Sequence, residues 1–195
     1  MNICVFLSSS DAVAQHYVDL TKELGRQIGL QGHTLVWGGN CTGLMGHIAD
    51  SVRENGGKVI GVVPQKLYDL GRAYTECDEL IISRDLRDRK AIMDEKSDAF
   101  VALPGGLGTL EEIIEVLNLK YLRYHQKPVV FLNHNQFYEP LFAAFQPFYD
   151  QRFTKRAVEK LYASIDSVDA LFPYLDSYVP VQVEEKWYDR ATDEI

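Results

Sequence analysis

Apolar and polar positions along the chain switch between two periods, and the switches mark a repeated strand–helix order. "NICVFLSS" is a short apolar run with two β-branched residues and reads as a strand. Residues 12–30 then carry apolar side chains at helical spacing, with Ser10 or Asp11 placed to cap them. "HTLVWGG" predicts the second strand, and "GLMGHIADSVRENGG" a helix closed by Gly56 and Gly57. "KVIGVVP" and "ELIISRD" predict two further strands, separated by a short irregular segment. A helix over 87–96 leads into the strand of "DAFVALPGG", a helix beginning near Thr109, and the strand "PVVFLNH". Helices over 137–148 and 168–174 flank a weaker strand at 162–165.

Short β-branched strands separated by helices are the signature of parallel βαβ units. The expected fold is therefore α/β: a doubly wound, Rossmann-like, mostly parallel sheet with helices on both faces. Residues 1–178 make one α/β domain on this reading. Residues 179–195 make an acidic C-terminal tail in which Trp187 and Tyr188 are the groups able to dock.

Composition narrows what such a domain does. The 195 residues include 28 acidic and 20 basic side chains, a formal charge of −8. That balance argues against nucleic acid or an anionic membrane as the main partner, while leaving room for a local basic pocket. No apolar stretch approaches membrane-spanning length, and "MNICVFLSSSD" reads as a strand rather than a signal peptide. Cys4, Cys41 and Cys77 lie far apart, and the five histidines lack metal-ligand spacing. The expectation is a cytoplasmic protein with no disulfide framework and no metal site.

The candidate chemistry lies in two glycine-rich turns. "VWGGNCTGLMG" places Gly38, Gly39, Gly43 and Gly46 between a strand and a helix, and "PGGLGT" does the same with Gly105, Gly106 and Gly108. Open parallel sheets bind ligands beyond the carboxyl ends of their strands. Each turn there leaves a helix N-terminus with free amides, which suits a phosphate. A single glycine turn serves tight packing as readily as binding; two on one sheet edge point to a nucleotide-sized pocket. Leu44 stands where a P-loop requires lysine, which argues against phosphoryl transfer from a triphosphate. "LSSSD" lacks the dinucleotide glycines, and the second strand ends in Gly38-Gly39 rather than an acid, so hydride transfer fits poorly.

Two carboxylates follow the second turn. Thr109-Leu110-Glu111-Glu112 spells a capping box, with Glu112 reaching back to the Thr109 amide. Upstream, "RDLRDRKAIMDEKSDAF" carries Arg84, Arg87, Arg89 and Lys90. A helix packed over the sheet edge would turn one or two of these cations toward the glycine loop. Cations, amides and a carboxylate together suit an anionic sugar whose reaction develops positive charge. Glu111 shares a helical face with Glu115 and Asn118, whereas Glu112 points about 100° away. The helix dipole is expected to keep Glu112 ionised.

In these residues the chain resembles the Lonely Guy family of nucleoside 5′-monophosphate phosphoribohydrolases. The match is carried by "GLMG", "VIGVVP", "RKAIM", "DAFVALPGGLGTLEE" and "KPVVFLN", over residues 2–175. RK followed by PGGxGTxxE is its specific part. The resemblance implies hydrolysis of a purine nucleoside 5′-monophosphate, AMP-like or cytokinin, to free base and ribose 5-phosphate. It implies no cofactor, and a homodimer or higher homo-oligomer. By the same resemblance Arg89 and Glu112 are catalytic, and Lys90, Gly106, Leu107, Gly108, Thr109, Glu111 and Asn118 bind substrate; Gly105, Gly39 and Ser9, in the turns at the same sheet edge, are expected to add substrate contacts. Asn40 departs from the family's third glycine in GGGxxGLMG, and Ser8 from the glycine of its CGSS.

Glycosidic cleavage passes through an oxocarbenium-like sugar. A carboxylate beside a phosphate site can then bind ribose hydroxyls, stabilise the cation or orient water, and Arg89 can hold phosphate or assist the departing base. A second class is a binding protein for a nucleotide or related phosphorylated ligand, such as a molybdenum-cofactor carrier. The intact Arg89 and Glu112 favour the enzyme. A pyridoxal-phosphate decarboxylase has less support, since no lysine stands out as a Schiff-base candidate. Ile113, Ile114, Val116, Leu117, Leu119, Tyr121 and Leu122 surround most of their helix, so part of it is expected to bury against a second subunit.

Overall fold

Alternate residues of the first strand face opposite apolar layers: Ile3, Val5 and Leu7 sit in one cluster, Cys4 and Phe6 in another. A strand buried on both sides belongs inside a sheet covered twice. The computed structural model, which describes residues 1–183 and 186–187, has that arrangement. Its strands are β1 (Asn2–Phe6), β2 (Thr34–Trp37), β3 (Lys58–Pro64), β4 (Glu79–Ser83), β5 (Ala99–Ala102), β6 (Val129–Leu132) and β7 (Ala163–Ile165). They form one sheet in the order β4-β3-β2-β1-β5-β6-β7, every pairing parallel. The helices are α1 (Gln15–Leu30), α2 (Leu44–Glu54), α3 (Gln65–Asp69), α4 (Leu86–Lys96), α5 (Leu107–Tyr121), α6 (Glu139–Asp150) and α7 (Val168–Asp176). Side chains of α1, α2 and α7 fill the first apolar layer, and those of α4, α5 and α6 the second.

The chain lays β2, β3 and β4 outward on one side of β1, then returns to place β5, β6 and β7 on the other. That reversal makes the β1–β5 boundary a switch point, where successive connections leave on opposite faces and open a crevice. Both glycine turns, after β2 and β5, lie on its rim.

Several local expectations need correction. α1 starts at Gln15 with Ala14 as its N-cap, and no side chain caps it. Ser10 instead accepts the Ala12 amide at 3.1 Å, and Ser8 the Ser10 amide at 3.1 Å, so the hydroxyls build turns before the helix. The segment after β3 is not wholly irregular but forms α3, whose five residues are too few to display a helical period. On α5, Ile113, Val116, Leu117 and Tyr121 are buried by the chain itself, leaving Ile114, Leu119 and Leu122 half-buried. Residues after α7 come back to the turn that follows α5, where Arg123 Nη2 donates to the Val183 carbonyl at 3.2 Å. Trp187 is exposed, and Tyr188 lies outside the described residues, as does most of the acidic tail. No helix among the described residues is long and apolar enough to cross a membrane.

Candidate active site

The crevice holds a cavity of about 250 Å³ walled by the loops after β1, β2 and β5 and roofed by α4 and α5. Asp85 sets the start of α4, because its Oδ1 accepts the amides of Arg87 and Asp88 at 2.8 and 2.9 Å. With the start fixed, Met93 enters the core and Arg89, one turn earlier, reaches into the cavity. Arg89 Nη2 donates to Glu112 Oε1 on α5, and the two side chains are only 13% and 11% exposed. The Arg89 Nε–H is buried with no hydrogen-bond partner among the described residues. Beside this pair, Lys90 Nζ donates to both Glu111 and Glu115, so three ion pairs in all tie α4 to α5.

Glycine at position 38 makes room for the guanidinium. A β-carbon there would lie 2.6 Å from Arg89 Nη1 and 2.8 Å from Met45 Cε. Gly105 plays a similar part below α5: its missing β-carbon would stand 2.2 Å from Thr109 Oγ1, and Thr109 is buried against it. Gly106 and Gly108, by contrast, face open space. Asn40 takes up a turn-making role, its Oδ1 accepting the Thr42 amide and hydroxyl, each at 2.9 Å.

The capping box does not form. α5 begins at Leu107 with Gly106 as its N-cap and no side-chain cap, so Thr109 is already its third residue. The first amides of α5 therefore stay available to an anion. Glu112 falls in the second turn, beyond the effective reach of the helix dipole, and turns to Arg89 instead. The charge of Glu112 is therefore governed by burial and by its charged neighbours rather than by the helix dipole. Burial, the largest influence, pushes the Glu112 carboxyl above the ordinary glutamate range, Arg89 pulls it back, and Glu111 pushes it up again.

Arg89, Glu112, Ser9, Gly106, Gly108 and Thr109 thus line one cavity. Lys90 and Glu111 flank it through their ion pair, Gly105 supports its floor, and Gly39 is buried beside Gly38 without lining it. Leu107 is 86% exposed and turned to solvent. Asn118 lies about 9 Å along α5 from Glu112 and accepts from Lys186 at 2.7 Å rather than facing the cavity. Sequence reasoning missed Ser8, Met45 and Leu67 as lining residues. Ser8 and Leu67 closely follow strand ends, and the carboxyl-end rule is the signal that finds them.

Lys120 was also missed. It is buried farther along α5, donates to the Leu161 carbonyl at 2.7 Å and the Tyr178 hydroxyl at 2.9 Å, and has its pKa lowered by burial to about 8. It lines a separate cavity with His125, about 12 Å along the helix from Glu112. Among the described residues, no group of three His, Cys, Asp or Glu side chains is placed to hold a metal ion.

Residues 45–175 match the family described as "Possible lysine decarboxylase". A probable cytokinin riboside 5′-monophosphate phosphoribohydrolase of Oryza sativa subsp. japonica is 40% identical over 179 residues, covering 92% of this chain and 79% of that protein. A cytokinin riboside 5′-monophosphate phosphoribohydrolase of Arabidopsis thaliana is 36% identical over 179 residues, covering 92% and 78%. Among solved structures, the molybdenum cofactor binding protein of the phototrophic bacterium Rippkaea orientalis has the same fold. Its TM-score is 0.69 over 90% of this chain and 95% of that one, at 24% identity.

Proposed function

We propose that this chain, which belongs to the Lonely Guy family, hydrolyses the N-glycosidic bond of a purine nucleoside 5′-monophosphate, giving free base and ribose 5-phosphate. The observation that carries this reading is the buried Arg89–Glu112 pair beside an uncapped helix N-terminus. The phosphate sits on the amides from Gly106 to Thr109, which brings the ribose under Glu112. As the bond from C1′ to the base nitrogen breaks, its electron pair leaves with the base and C1′ becomes cationic. The Glu112 carboxylate stabilises that cation and orients water, whose hydroxyl joins C1′ while its proton ends on the base. Arg89 offers to the departing base its Nε–H, which has no partner among the described residues. A carrier of a phosphorylated ligand needs the same amides but has no use for a buried carboxylate facing an arginine. The relatives at 36–40% identity are named as hydrolases, whereas the 24% likeness to a cofactor-binding protein speaks for fold alone.

The test is chromatography of purified protein with AMP and a cytokinin riboside 5′-monophosphate. Free base should appear, undiminished by a chelator. The matching nucleosides should react about 100-fold more slowly, since the phosphate contacts position the sugar. Equal turnover of nucleoside and nucleotide would remove the phosphate site from this account.

Gly38→Ala probes the arginine's seat. Both atoms it would strike end flexible side chains, so the fold should hold, melting within a few degrees of wild type. Arg89 must move, and kcat/KM should fall by about 10- to 100-fold. Unchanged kinetics would mean that the guanidinium position does not matter.

We also infer a homodimer or larger assembly, supported by the half-buried Ile114, Leu119 and Leu122 of α5, and a reducing cytoplasmic setting for the free thiols of Cys4, Cys41 and Cys77. Light scattering at micromolar concentration should return at least twice the 22.2 kDa chain mass. A monomer mass there sinks the assembly.

A further inference from the structure

A second cavity, of about 620 Å³, opens beside the first, and Leu67 of α3 is a wall of both. Its apolar lining is Pro64, Leu67 and the exposed Leu86, and its charged residues are Lys66, Arg84, Arg87 and Asp85. Three cations against one carboxylate is a marked local excess in a chain of net charge −8. Asp85 is occupied as the cap of α4, and Arg84 is paired with Asp88 at 3.0 Å. Lys66 and Arg87 are both exposed and make no side-chain hydrogen bond or ion pair among the described residues, so their charges can meet a ligand.

Sheet order fixes how the two cavities relate. The first spans the loops after β5, β1 and β2 and ends at Leu67 after β3, while the second runs from Pro64 at the end of β3 to Arg87 after β4. With neighbouring strands ~4.8 Å apart, β5 and β3 are separated by ~14 Å. No residue following β6 lines the first cavity, so a nucleotide with its phosphate on α5 extends toward β3. Its base then points at Leu67 and at the cavity beyond.

We propose that the second cavity is a specificity pocket for an acidic aliphatic group carried on the base. The favoured substrate is a purine nucleoside 5′-monophosphate whose exocyclic amine bears a short carbon chain ending in carboxylate. The chain lies on Pro64, Leu67 and Leu86, and the carboxylate meets Lys66 and Arg87. This rests on the hydrolytic reading above.

The experiment compares base release from AMP, from AMP with a neutral alkyl chain on N6, and from AMP with a dicarboxylic chain of similar length. Each is measured with the wild type and with Lys66→Glu/Arg87→Glu, whose melting temperature is recorded alongside. In the wild type the acidic substrate should exceed the neutral one in kcat/KM by about ten-fold, and the double substitution should reverse that ratio. An acidic-to-neutral ratio at or below one in the wild type, or one unmoved by the charge reversal, overturns the pocket while base release from AMP leaves the hydrolytic reading standing. If no nucleotide releases base, that reading fails instead. Calorimetric binding of the same three nucleotides then decides the pocket: tighter binding of the acidic one upholds it, and equal affinities overturn it.

Discussion

Glu112→Gln should lower nucleotide turnover by about 100-fold or more and leave the melting temperature nearly unchanged. A 100-fold loss corresponds to roughly 2.7 kcal/mol of transition-state stabilisation, a reasonable share for one carboxylate facing a developing cation. Stability follows separate arithmetic. The substitution removes an ion pair with Arg89, but it also removes the cost of holding a charge in a site that is 11% exposed. The raised native pKa gives that cost a sign. Wild-type stability should fall as pH climbs from the unfolded-state value of glutamate to the higher native one, then level off, and glutamine should abolish that slope. The acid limb of kcat/KM should correspondingly lie above the ordinary glutamate range. Glu111→Gln removes a charge that raises the Glu112 pKa, so it should shift that limb to lower pH. A Glu112→Gln protein with full activity and early melting would return the residue to a purely structural role.

Gly43→Ala should cost about 3 kcal/mol of stability. Gly43 has φ 62° and ψ −149°, a region that only glycine occupies without strain of ~1–3 kcal/mol. The added methyl would also lie 2.3 Å from the Ser9 carbonyl carbon and oxygen, which are backbone and cannot swing aside. Overpacking of that kind costs a further ~1–3 kcal/mol. For a chain of this length the sum lowers the melting temperature by roughly 6–12 °C. Gly32→Ala is the control: its φ is 68° but a β-carbon would meet nothing within 4 Å, so strain alone should appear. Equal losses at the two positions would show that the contact between the β1 and β2 loops contributes nothing.

The two substitutions also divide what the sequence could reveal from what it could not. All seven strands were legible as short apolar runs bounded by turn residues, the edge strand β7 most weakly, and the five inner ones, largely buried on both faces, need no alternation to be seen. Arg89 and Glu112 were legible as residue types near a glycine turn. Their partnership was not, because a separation of 23 in the sequence carries no trace of the angle at which α4 crosses α5. The capping box was misread for a related reason: Gly106 already serves as the N-cap, and local spelling cannot show that a helix starts two residues early. α3 and the cavity beside it were hidden because five residues give no periodicity, and the cations at Lys66 and Arg87 are brought together only by the pairing of β3 with β4.

The position of β1 at the switch point has a consequence for how the protein comes into being. β1 meets β2 across 32 positions, Ile3 opposite Leu35, but meets β5 across 96, Ile3 opposite Ala99. Tripling the closed loop adds only about 1 kcal/mol of entropy, yet non-local pairings are the slow ones to form. The strands β1 to β4 can therefore assemble while the chain still lacks β5, and such a half carries the arginine without the glutamate that answers it. During refolding, activity should emerge with the closure of this longest pairing, behind the rise of helical signal from α1 and α2.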